Sequence, residues 1–154
     1  MTITSLPEFT AAATSGQQID SKDLIGKPLI LYFYPKDSTP GCTRESVDFA
    51  AVYDELNKLG VNLYGISRDS LKSHENFRSK QQLPFELISD ADQSLCELFD
   101  VIREKNMYGR KVIGIERSTF LFDAGGKLVR EWRKLKVPGH VDEVMSSVRA
   151  LNQA

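Results

Sequence analysis

With 154 residues, 41% of them hydrophobic and 27% charged, the chain has the size and composition of one soluble globular domain built on a single core. Its 20 basic and 21 acidic side chains leave a net charge of −1, which supplies no field to draw in nucleic acid or an anionic membrane surface. Residues 1–7 lack a basic start followed by an apolar run and no segment has the length of a membrane span, so neither nucleic acid nor a membrane is expected as a partner, and the cytoplasm is the expected location.

Residues 8–21 are polar and short in pattern, with Ser15-Gly16 as a turn between Phe9-Thr10-Ala11 and Gln18-Ile19-Asp20; this predicts a small edge hairpin. Ser21 to Gly26 reads as a helical turn leading through Pro28 into Leu29-Ile30-Leu31-Tyr32-Phe33-Tyr34. That continuous apolar and aromatic run, bounded by prolines, has the pattern of a strand covered on both faces and therefore central. Thr39 has the chemistry of an N-cap, and Pro40 suits the first helical position, where its missing N–H is no loss. Val47, Ala50, Ala51, Leu56 and Leu59 then recur near helical spacing up to Gly60, predicting one helix with a glycine C-cap.

Val61 to Ser67 reads as a second strand, Ser70 to Lys80 as a polar surface helix and Phe85 to Ser89 as a third strand. A short helix over Asp92 to Phe99 turns Leu95, Leu98 and Phe99 inward. From Val101 to Gly114 the pattern is irregular and basic, through Arg103, Lys105, Arg110 and Lys111, and reads as a loop. Ser118 to Phe122 and Lys127 to Trp132 form strands joined by the glycine-rich turn Asp123-Ala124-Gly125-Gly126. A final helix from about His140 to Leu151 places Val141, Val144, Met145 and Val148 on one face. Strands alternating with helices imply an α/β fold, a central sheet flanked by helices, with the hairpin added at the N-terminus. No linker or internal repeat divides the chain, so residues 1–154 are read as one domain. Arg130, Arg133, Lys134 and Lys136 around Trp132 alternate along a strand and read as a solvent-facing edge, not as a nucleic-acid surface.

Cys42 falls in the first turn of the helix that follows the central strand. Unpaired N–H groups and the positive end of the macrodipole there favour a thiolate, the nucleophilic form of cysteine. A buried, inert cysteine is the alternative, but a polar turn punctuated by proline and glycine is an exposed place for a core residue. Two cysteines far apart do not make a disulfide framework, which also points to chemistry. Thr39, three residues earlier, can place its hydroxyl beside the sulfur across the first turn, or serve as a cap, or both. His74 and His140 stand in no ligand-like spacing with cysteine or carboxylates, so solvated or capping roles are expected and no metal.

The string Pro35-x-x-x-Thr39-x-x-Cys42, extended as Pro40-Gly41-Cys42-Thr43-x-Glu45, resembles the active-site signature of the peroxiredoxins, and more narrowly of their bacterioferritin comigratory protein or Q branch. The resemblance covers nearly the whole chain. It implies a thioredoxin-like fold and a thiol peroxidase that reduces hydrogen peroxide and organic hydroperoxides through a sulfenic acid on Cys42, without a cofactor. It also implies that Pro35, beyond breaking the strand, shields and shapes the pocket. Arg117, in an Arg-Ser-Thr-Phe context matching the family's catalytic arginine, would activate both sulfur and peroxide. Glu45 matches a carboxylate that orients neighbouring side chains, although a solvated first-turn acid is the simpler reading.

Many members of this branch carry a second cysteine five positions after the first, where this chain has Val47, and others carry it in the next helix, where it has none. The expected cycle therefore uses one cysteine and an external thiol such as glutathione, a glutaredoxin or thioredoxin, on a monomer. Resolution by Cys96 is the alternative within the same chemistry, although that residue, flanked by Leu95, Leu98 and Phe99, reads as core. A thioredoxin-fold binding or chaperone module with a vestigial Cys42 is an alternative of another class. A thiol–disulfide oxidoreductase would want a Cys-x-x-Cys pair, and Thr39 occupies the upstream position.

Overall fold

The computed structural model describes residues 3–152. An N-terminal hairpin of β1 (Thr10–Ala12) and β2 (Gln18–Asp20) pairs antiparallel and stands apart as its own two-stranded sheet. A short 3-10 turn over Ser21–Leu24 leads into β3 (Leu29–Phe33), the middle strand of a five-stranded sheet. β3 runs parallel to β4 (Asn62–Ser67) and antiparallel to β8 (Ser118–Phe122), while β5 (Leu87–Ser89) and β9 (Leu128–Arg133) form the two edges. All five residues of β3 are buried, as an apolar run without alternation requires.

The pleat of β3 divides the core into two. Ile30, Tyr32 and, just past the strand, Tyr34 face a cluster completed by α1 (Pro40–Ala51), α2 (Tyr53–Lys58), α3 (Leu71–Gln81) and α5 (His140–Asn152), through Phe49, Leu56, Phe77 and the Val141, Val144, Met145, Val148 stripe. Leu29, Leu31 and Phe33 face a second cluster with Ile19, Leu24, Leu95, Cys96, Phe99 and Ile115. Each such large apolar side chain contributes roughly 1.5–3 kcal/mol on burial. The four longer helices thus cover one face, and short α4 (Ser94–Leu98) shares the other with hairpins.

Three expectations need correction. Residues 101–114 are not a loop: Ile102–Met107 (β6) and Arg110–Ile115 (β7) pair antiparallel around a two-residue turn, with φ of 53° at Tyr108 and 78° at Gly109. A type I′ turn needs both angles positive; with Tyr where Asn or Asp usually stands, the signal is obscured. The side chain of Lys105 lies outside the described residues. The helix predicted from Pro40 to Gly60 breaks at Val52, whose N–H bonds to Phe49 O three residues back. Leu98, expected inward, is exposed, because the short α4 turns only Leu95 and Cys96 fully into the core.

Candidate active site

Cys42 is the third residue of α1, where the fixed φ of Pro40 starts the helix and the first N–H groups have no partner within it. Its side chain is 1% exposed and belongs to the cluster on the α1 face of the sheet. Arg117 immediately precedes β8 and continues the two-residue alternation of Thr119 and Leu121, which points it toward the same face. Its Nη2 donates to Cys42 Sγ at 3.2 Å and its Nη1 to Glu45 Oε1 at 2.7 Å. Gly41 leaves room for this contact, since a Cβ there would stand 3.2 Å from Arg117 Nη2.

Thr39 occupies the N-cap position, yet its hydroxyl caps nothing: it donates to Lys36 O at 2.8 Å. Its carbonyl instead accepts from Thr43 N–H. Pro35 and Arg117 share the wall of a cleft of about 580 Å³ with Arg103, Ile115, Lys134 and Leu135. β6 and β7 supply two of those residues, so the segment read as a loop is part of the cleft.

Glu45 is wholly buried, not a solvated acid. Burial pushes its carboxyl up to about 7, against the opposing charge and hydrogen bond of Arg117. Burial alone would lower the Arg117 guanidinium, but the charges of Glu45 and Cys42 hold it above its ordinary value, so it stays a cation. Oε2 of Glu45 accepts no hydrogen bond; 3.9 Å away lies Nε2 of His140, which bonds Thr119 Oγ1 at 2.8 Å. Burial lowers His140 to about 4, helped by Arg117 and Arg130, so the ring is neutral near pH 7.

Both histidines are therefore buried, contrary to their expected solvated or capping roles. His74 Nδ1 lies 2.7 Å from Asp37 Oδ2 and its Nε2 2.9 Å from Ile88 O. Asp37 also accepts from Tyr34 Oη at 2.6 Å and Ser73 Oγ at 2.9 Å, and its N–H donates to Asp69 Oδ2 at 2.8 Å. This network pins the turn between β3 and α1 to α3. Asp37, Asp69 and His74 come close enough to hold a cation, but hydrogen bonds to protein groups already engage them.

Cys96 lies in the second cluster, beyond the sheet from Cys42. Burial, followed by the adjoining Asp90 carboxylate, raises its thiol far above the ordinary range.

The AhpC/TSA family model matches residues 4–131. Over 143 residues, 93% of this chain and 89% of the relative, the sequence is 53% identical to a peroxiredoxin Bcp of Xanthomonas campestris; it is 41% identical to that of Bacillus subtilis over 96% of this chain and 94% of the other. A solved peroxiredoxin Q of X. campestris superposes with a TM-score of 0.91 at 48% identity, covering 97% of this chain and 98% of that one. A structure of the bacterioferritin comigratory protein from X. campestris, described for its alkyl peroxide reduction activity, superposes equally well at 47% identity over 97% and 99% of the two chains. Together with the Cys42–Arg117–Glu45 arrangement at the start of α1, these matches mean that the chain belongs to the AhpC/TSA family, within its peroxiredoxin Bcp or Q branch.

Proposed function

We propose that the protein is a thiol peroxidase that reduces hydrogen peroxide and organic hydroperoxides in the cytoplasm, as a single-domain monomer, by a one-cysteine cycle. The observation that carries this reading is the Arg117 guanidinium, which bonds Cys42 Sγ with one nitrogen and Glu45 with the other at the edge of the Pro35 cleft. One chain supplies every group involved, so a second copy is not required.

Cys42 as thiolate attacks one peroxide oxygen: the S–O bond forms, the O–O bond breaks, and the departing oxygen leaves as alkoxide or hydroxide and takes up a proton. Arg117 donates to sulfur and to the oxygens on which charge grows. Thr39, its hydrogen directed to Lys36 O, retains lone pairs to accept the peroxide O–H, and Pro35 lines the cleft wall. The resulting sulfenic acid condenses with an external thiol, releasing water and leaving a mixed disulfide; a second thiol then frees Cys42. Glutathione, a glutaredoxin or thioredoxin has the required chemistry.

The sheet between the two sulfurs argues against Cys96 as the resolving residue, and its raised thiol argues the same way. After one equivalent of peroxide, mass spectrometry is expected to find a sulfenic or mixed-disulfide Cys42 beside an unmodified Cys96. An intramolecular disulfide would overturn the one-cysteine cycle. Cys42→Ser is expected to abolish peroxide consumption in a folded protein; a wild-type chain that consumes peroxide no faster than folded Cys42→Ser would favour the binding-module alternative.

A further inference from the structure

Behind Arg117 the buried polar groups continue in one line: Cys42 Sγ, the guanidinium, the Glu45 carboxyl, the His140 imidazole and the Thr119 hydroxyl, with separations of 3.2, 2.7, 3.9 and 2.8 Å. A guanidinium is planar, and its two outer nitrogens are aimed together, so whatever fixes the carboxyl fixes the nitrogen at sulfur. Arg117 holds only one oxygen of that carboxyl. The other is buried without a hydrogen bond, a costly arrangement unless a polar neighbour closes on it. Among the described residues, His140 Nε2 is the neighbouring ring nitrogen. The ring itself is held by the edges of Phe49 and Trp132, with centroids 6.2 and 5.6 Å away.

We infer that His140 is a positioning residue for the reaction at Cys42: with its ring set by Thr119, it is the second partner of Glu45, and through Glu45 it aims Arg117. The inference rests on the peroxidase reading and assigns that site a residue 98 positions from Cys42 in the chain. A single nitrogen serves both neighbours. Protonated, Nε2 donates to the Thr119 oxygen or to Glu45 Oε2; unprotonated, it accepts from the Thr119 hydroxyl or from a protonated Glu45. The proton on Glu45 thus bears on the tautomer of His140. The charged groups that bear on the pair are Arg117 on both members, Asp48 of α1 on Glu45, and Arg130 of β9 on His140; Tyr32 of β3 also lies within the field of Glu45.

The decisive measurement is made on the wild-type chain, with 15N-labelled imidazoles and the infrared carbonyl band of Glu45, each assigned by its loss in His140→Gln and Glu45→Gln. Between about pH 5 and 8, above the His140 titration, the Nε2 resonance is expected to follow the protonation of Glu45 and to become flat in Glu45→Gln. His140→Leu is expected to slow sulfenic acid formation on Cys42 by roughly tenfold near neutral pH and to move the midpoint of the Glu45 band upward, because Oε2 loses its polar neighbour. His140→Gln, which keeps a polar group there, is expected to recover most of that rate. A wild-type Nε2 resonance indifferent to Glu45 overturns the inference, and so does a folded His140→Leu protein with wild-type rates at every pH. Should His140→Leu fail to fold, the wild-type titration decides alone. A chain whose His140 follows Glu45 but which consumes no peroxide would sink the peroxidase reading and leave the pairing standing.

Discussion

Gly41 stands beside Cys42 in the first turn of α1, at a position where a helix ordinarily gains from alanine. Here the missing Cβ gives Arg117 its space: a methyl group 3.2 Å from Nη2 would press the guanidinium a few tenths of an ångström off the sulfur. Gly41→Ala is therefore expected to keep or slightly raise stability while slowing Cys42 oxidation by about three- to tenfold, measured by competition kinetics against a reference peroxidase. Cys42 at a helix start and Thr39 at its N-cap position were legible in the sequence because they sit in one turn whose punctuation shows where a strand stops and a helix starts, whereas the pocket role of Pro35 is an expectation of the family signature. Arg117 became legible only through the family signature. The burial of Glu45 and His140 was not legible, since their partners lie 72 and 21 positions away and no local pattern announces it; the orienting role of Glu45 came only through the family signature.

Among the elements, β3 and β4 meet at a close approach. Gly65 stands opposite Tyr32 in their register, and the tyrosine ring crosses it to stack on Phe49 at 4.7 Å and to bond Ser46 Oγ at 2.9 Å. A Cβ on Gly65 would meet Tyr32 Cζ at 2.6 Å and Leu87 Cδ2 at 2.9 Å, closer than either can yield without moving. Gly65→Ala is expected to cost about 1–3 kcal/mol in denaturant unfolding, and to slow peroxide reduction as well, since Tyr32 supports the helix that carries Cys42. The central place of β3 followed from its unbroken apolar run, and α5 from its one-sided stripe. The β6–β7 hairpin did not, since its strands are largely exposed and basic, so burial writes little periodicity into them.

At the scale of the whole molecule, Glu45 and His140 make opposite contributions to the pH dependence of folding. Glu45 rises from 4.5 to about 7 on folding, so its contribution to stability is present below pH 4.5 and lost as pH climbs through 7. His140 falls from 6.5 to about 4, so its contribution is present above pH 6.5 and lost as pH drops through 4. Between those limits the two nearly cancel in the wild type. Removing one partner exposes the other: Glu45→Gln is expected to lose roughly 2–3 kcal/mol between about pH 6.5 and 4, and His140→Gln a similar amount between about pH 4.5 and 7, measured by urea unfolding at each pH. The layered class was legible from the alternation of strands and helices. The crowding of four helices on one face was not, because periodicity reports that a stripe is apolar and not which side of a sheet it meets. Cys42 lies in the cluster on that face and Cys96 in the other, so the sheet stands between the two sulfurs. On a cycle with a single reacting sulfur, such a chain cannot restore itself. How long it remains oxidised is set by the supply of small or protein thiols around it, and in a starved cell it would stand as a record of the last peroxide it met.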